Sequence, residues 1–232
     1  ETALARVAGL LQEADLVRPQ NYFDPMPWHA LWDSARSLLN RALGGDFPGT
    51  LGFRRSFFIA MGGYDGDVMF ENLELIRTVA AAGGSEIVAL DLFVARVPPS
   101  SKGFRSQRVR QAFDDLAMPL RLVAFLALLP LTLIAVAVRK KRWIVEAAFC
   151  SVLVAERGRR RGRGTTVFPA RASLFAPLWL VERAFCSWLA LGSRIFLGGV
   201  RYRRGVIKMA SSPERRLKAR FAAGESPAHP VP

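Results

Sequence analysis

The feature that most restricts this chain is an apolar run without a single charge, Leu122 to Val138. Its seventeen residues, lengthened by Ala117 to Arg121, reach the span of about 20 that a helix needs to cross a bilayer. A transmembrane helix is expected over 118–138. Pro130 would kink such a helix without breaking it, because neighbouring groups in a membrane protein re-satisfy the freed carbonyl. A core helix of a soluble protein has the same composition, so the surrounding charges must decide. They fall into blocks: Arg139-Lys140-Lys141-Arg142, Arg157 to Arg163, and a third group from Arg194 to Arg220. Each borders apolar sequence, as Lys and Arg do beside lipid headgroups. The chain is 51% hydrophobic yet carries a formal charge of +14, which suits an anionic membrane surface. The basic blocks lack interleaved aromatic platforms for bases, so membrane lipids are the expected partner and nucleic acid is not.

Two further stretches follow the apolar run. Ile144 to Ala155 is shorter and carries Glu146, which suits a short second span or an interfacial segment. Residues 166–199 are apolar and aromatic but contain Arg171, Glu182, Arg183 and Arg194. Charges near the middle of a lone span are costly, so an amphipathic or re-entrant segment is expected there. Residues 201–232 read as a basic disordered tail, rich in Ser, Pro, Gly and cations towards the end. Cys150 and Cys186 sit inside apolar runs, lack metal-ligand spacing and read as reduced thiols.

The first hundred residues have a different character. Helical periodicity covers 2–12, 28–42 and 70–82, with a short helix from Arg55 to Met61. In the long helix, Trp28, Leu31, Trp32, Ala35, Leu38, Leu39 and Ala42 recur at spacings of three and four. Gly44-Gly45 and Gly83-Gly84 are stop signals. Strands are expected over Asp15 to Arg18, ahead of Pro19, and over Ile87 to Val97, with a loop and strand across Asp46 to Phe53. Such alternation implies an α/β layer architecture. A basic amphipathic helix, Arg105 to Leu116, then leads into the apolar run. The expected organisation is an α/β unit over 1–104, an interfacial helix over 105–117, membrane-associated helices over 118–200 and the tail. The opening Glu1-Thr2-Ala3-Leu4-Ala5-Arg6 reads as mid-helix, as though the chain were a fragment.

Three blocks could carry chemistry. In Gly62-Gly63-Tyr64-Asp65-Gly66-Asp67-Val68-Met69-Phe70-Glu71-Asn72-Leu73-Glu74, a glycine turn precedes acidic residues at the start of a helix. First-turn electrostatics alone account for Asp67, Glu71 and Glu74. Asp46-Phe47-Pro48-Gly49-Thr50 is a turn into a strand. Gln107-Arg108-Val109-Arg110-Gln111 opens the basic helix, and its arginine forks suit either anionic lipid or a pyrophosphate. His29, between Trp28 and Ala30, reads as structural.

Taken in order, these blocks resemble the processive and lipid-modifying glycosyltransferases of family 2, which include cellulose synthase and ceramide glucosyltransferase. That family carries a Phe-x-Gly-Thr-like loop, here Phe47-Pro48-Gly49-Thr50. A short helix ending in Gly-Gly follows, here Gly62-Gly63-Tyr64. Next comes a Glu-Asp pair opening a helix, here Glu71-Asn72. A Gln-x-x-Arg-Trp motif then stands before membrane helices, here Gln107 to Gln111. The resemblance covers about residues 1–140. It implies the C-terminal half of a GT-A, Rossmann-like catalytic domain followed by a membrane-embedded helical region. It further implies transfer of a sugar from a nucleotide-diphosphate donor to a lipid or polysaccharide hydroxyl, at the cytoplasmic face of a bacterial plasma membrane. The family's base position is Asn72, which takes no proton at neutral pH, so Glu71, or Glu74 one turn on, would substitute. Gln107 and Arg110 would steady the leaving diphosphate, while Asp46, Gly49 and Thr50 would line the site. Gln111 replaces the family's Trp. The Mg²⁺ or Mn²⁺ ion of the family is held by an Asp-x-Asp motif that this sequence does not contain in that place, so no metal ligand is expected here. A catalytically impaired scaffold is the alternative that Asn72 raises.

Overall fold

The computed structural model describes residues 2–202 and 205–224. It is a mixed α/β structure dominated by helix, at 62% of the chain, with two small sheets. The larger sheet has the order β2-β1-β3, built from β1 (Leu16–Phe23), β2 (Gly52–Phe53) and β3 (Glu86–Arg96). β1 and β3 run parallel, and β2 is antiparallel to β1. The expected end of β1 at Arg18 is corrected. Pro19 has no N–H to donate, but the ladder shifts there: Arg18 pairs with Val88 and Gln20 with Phe93. The partner strand thus carries β1 past a residue that would stop it locally.

On one face of the sheet, α1 (Ala3–Leu10) packs Val7, Leu10 and Leu11 over Val17, Ala89 and Leu92. Thr2 caps this helix, its hydroxyl accepting from the Ala5 amide at 3.3 Å. The mid-helix reading of the opening residues is therefore corrected; Glu1 lies outside the described residues. Another cluster joins Leu16 of β1, Met61 at the end of α3 (Arg55–Ala60), and Leu75 and Val79 of α4 (Glu71–Ala81). α4 stops where Gly83 takes a left-handed φ of 81°.

α2 (Trp28–Leu43) joins this layer to the helical one. Its Leu31, Ala35 and Leu38 pack against Ala155, Phe168, Ala172, Ala176 and Trp179. Those partners come from α7 (Lys141–Arg160), α8 (Arg171–Leu174), α9 (Ala176–Phe196) and the turn before α8. α5 (Ser101–Phe113) continues through a 3-10 turn, Asp114–Ala117, into α6 (Pro119–Ala137). Among the described residues, α6 alone is long and apolar enough to cross a membrane, with a mean hydropathy of 2.4 and 6% of its apolar window buried.

In the helical region one expectation gains detail and another changes. α9 is one continuous helix packed on α2, α5, α6 and α7. Two of its charges have partners within the protein: Glu182 accepts from Arg108, and Arg183 pairs with Asp115 at 3.5 Å. The tail is also not disordered where it is described. β4 (Val200–Tyr202) and β5 (Gly205–Ile207) form a hairpin, and α10 (Glu214–Ala222) docks on α4. Composition hid the docking face, the buried Leu217 and, at i+4, Phe221, which packs against the Leu16–Met61–Leu75–Val79 cluster. The rest of the tail expectation, at 203–204 and 225–232, lies outside the described residues.

Candidate functional site

A cavity of about 450 Å³ opens where the two layers meet. Its walls are α2, the 46–49 loop, the start of α4, the end of β3, the C-terminal part of α5, the 3-10 turn, the first residues of α6 and the β4–β5 hairpin. α2 supplies Ser34, Arg36, Ser37 and Asn40. This polar stripe lies opposite the apolar one already used for packing, so the helix is buried on both sides.

Asp46 lies on the cavity wall with its carboxylate already occupied. It accepts from Arg36 at 2.9 Å, Asn40 at 2.8 Å and Ser37. Burial works against its ionisation, but Arg36 and these donors hold the carboxyl below the ordinary range. Its role is to fix Arg36 in the wall. Gly49 is placed against Arg96: a Cβ there would come within 2.6 Å of the Arg96 guanidinium. The absent side chain lets Arg96, at the end of β3, reach the cavity.

Glu71 and Asn72, in the first turn of α4, also line the cavity, as does Arg110 from α5. Arg110 stacks over the Tyr202 ring at 4.7 Å. Gln111, where the family has Trp, is a lining residue as well. It is fixed by accepting from Arg108 at 2.8 Å. Three expected site residues are elsewhere. Gln107 and Thr50 are not among the lining residues, and Thr50 instead accepts from Asn21 at 3.2 Å. Glu74 is fully buried and accepts from the Ser212 amide at 2.6 Å and the Ser211 hydroxyl at 2.8 Å. It anchors the C-terminal segment to α4 and is corrected as a candidate base, because it does not face the cavity.

Sequence reasoning passed over Arg36, Arg96, Asp114, Asp115, Arg121, Arg183 and Tyr202, all lining residues. The polar stripe Asp33, Ser37, Asn40 on α2 was a signal for Arg36; no local signal marks the others. Arg121 and Arg183 both pair with Asp115, at 3.0 and 3.5 Å. Among the described residues, Arg96 and Arg110 have no carboxylate partner. Asp114 likewise has no cation within ion-pair distance, and one of its oxygens is buried without a hydrogen bond. Burial, with Asp115 adjacent, pushes its carboxyl up to about 8 against the pull of Arg183, Arg36 and Arg121. At neutral pH Asp114 is thus mainly protonated, and the cavity is net cationic. That arrangement suits a phosphate or diphosphate.

No group of three or more His, Cys, Asp or Glu side chains able to hold a metal exists among the described residues. The residues present do not fit the ion that the family resemblance implies, and no step below passes through one. The chain matches no protein-family model, no curated protein and no solved structure.

Proposed function

We propose that this chain belongs to a membrane-bound glycosyltransferase of the family 2 type, with the α/β layer contributing to a GT-A fold. The donor is a nucleoside-diphosphate sugar and the acceptor a lipid or polysaccharide hydroxyl. The observation that carries the reading is the arrival of Glu71 and Arg110, from separate helices, in one cavity beside the base of α6. In the reaction the acceptor oxygen attacks the anomeric carbon and its proton passes to the Glu71 carboxylate. The bond to the diphosphate breaks with its electron pair left on oxygen. Arg110 and Arg96 stabilise that developing charge without surrendering an existing ion pair. The apolar surface of α6 keeps the site at a bilayer, and the cytoplasmic face of a bacterial plasma membrane is where nucleotide sugars are supplied.

Asn72 favours a second reading, a relative that has lost catalysis and binds an active transferase. Both are tested on membranes expressing the complete gene product, since half of a GT-A domain alone is expected to be inactive, assayed with a panel of nucleoside-diphosphate sugars. Glu71→Gln should lower sugar release by about a hundredfold or more. Turnover untouched by both Glu71→Gln and Arg110→Ala would remove this site assignment. A gain on Asn72→Asp would place the base at 72 and mark the natural chain as impaired.

A further inference from the structure

We propose that the α6–α7 hairpin enters only the leaflet on the cavity side, with its tip among the anionic headgroups of that same leaflet. The inference rests on the membrane part of the reading above, not on the sugar chemistry. It begins with length. Between Glu146 and Glu156, α7 has only the uncharged stretch Ala147 to Ala155. At 1.5 Å per residue this is about 14 Å, half the hydrocarbon thickness of about 30 Å.

The far half of α7 is also not free to move into lipid. Ser151, Ala155 and Gly158 are buried. Gly158 lies so close to α2 that a Cβ would come within 1.8 Å of the Leu38 carbonyl oxygen. Arg41 of α2 donates to the carbonyls of Gly158 and Arg161, and Arg161 donates back to those of Arg41 and Ala42. α2 is itself a cavity wall. The end of α7 is therefore clamped to the body that holds the site. α6 departs from Met118 and Arg121, which line the same cavity. The hairpin leaves and returns on one side, and its returning arm is too short and too firmly docked to cross.

The exposed surface fits this placement. Leu131, Ile134, Val138, Trp143, Val145 and Phe149 are each more than half exposed. At the turn, Arg139, Lys140, Lys141 and Arg142 are all exposed. Four cations at a bilayer midplane would be costly. An inclined hairpin keeps them at headgroup level while its apolar faces enter the acyl region, the mode of an interfacial amphipathic element.

The test is made on the full chain in phosphatidylcholine–phosphatidylglycerol vesicles, in a Cys150→Ser, Cys186→Ala background. Lys140→Cys reports the tip and Lys218→Cys, on exposed α10, reports the body. An impermeant maleimide added outside should label both positions to the same extent. If the body is labelled but the tip reacts only after detergent, the hairpin spans and this inference is overturned, with the membrane reading intact. A chain that does not float with the vesicles overturns both. Arg142 is paired with Glu146 at 2.6 Å, leaving three free tip cations. At about fivefold each near an anionic surface, omitting phosphatidylglycerol should weaken flotation by about a hundredfold. Unchanged flotation would overturn the headgroup contact.

Discussion

The floor and the rim of the cavity use the same residue type to opposite ends. On the floor, behind the residues that line the cavity and not itself one of them, Arg108 is buried between Asp33, at 2.9 Å, and Glu182, and stacks on Phe104. Arg36 is held by Asp46, and Arg183 by Asp115. Each of these guanidiniums has a carboxylate partner, and in each case the pair joins different parts of the fold. At the rim, Arg96 and Arg110 meet no carboxylate among the described residues. A guanidinium with its charge already matched is a fastener, whereas one without a match has capacity for a ligand. Arg108 and Arg110 make the contrast sharpest, being two residues apart on α5 with one turned inward and the other into the cavity.

The largest effect should come from breaking the floor. Arg108→Ala leaves the buried Asp33 and the half-buried Glu182 around an empty position. Burial pushes the Asp33 carboxyl up, but Arg36 and Arg108 together hold it below the ordinary range, so the lost cation is felt directly. The expected loss is about 3–5 kcal/mol, with the α5–α9 contact failing first. Thermal unfolding in detergent checks it, and a midpoint close to wild type would mean that Arg108 is no fastener. Arg110→Ala tests the rim. Stability should stay near wild type while nucleoside-diphosphate-sugar turnover falls by about a hundredfold, as for loss of one donor to a developing oxyanion. A variant that unfolds and keeps its turnover until it does so would reverse the comparison.

The same division explains what the sequence disclosed. The helices α2, α4 and α6 and strand β3 stand close to their expected bounds because periodicity and glycine stops are local signals. Glu71, Asn72, Asp46, Gly49 and Arg110 were all named from short blocks, and the fold sets them around one space. What escaped notice depends on partners distant in the chain. Arg183 in an apolar segment looks like an expense until Asp115 is seen against it. Glu74 resembles a second catalytic carboxylate until Ser211 and Ser212 occupy it. Arg96 is an unremarked strand terminus until Gly49, from another loop, gives it room. Residues in matched pairs carry no sequence mark because the match is made in space.

The comparison sharpens further at Asp114, a cavity carboxylate whose ionisation burial opposes. Its folded-state pKa of about 8 stands above the value near 3.8 of the unfolded chain. Across that window the native state holds a proton that the unfolded chain has released. Stability from this group is complete below the lower value and declines as pH rises to the upper one, by on the order of 1 kcal/mol per unit. Asp114→Asn removes the titration and keeps the shape. Unfolding midpoints measured from about pH 3 to about pH 9, roughly one unit beyond each end of that window, should fall for wild type relative to the variant as pH rises. Parallel curves would show that Asp114 ionises freely and pairs with a neighbouring arginine, making it part of the floor. A gap that opens with rising pH would leave it with the rim, as a group whose charge state decides how strongly the cavity attracts an anion.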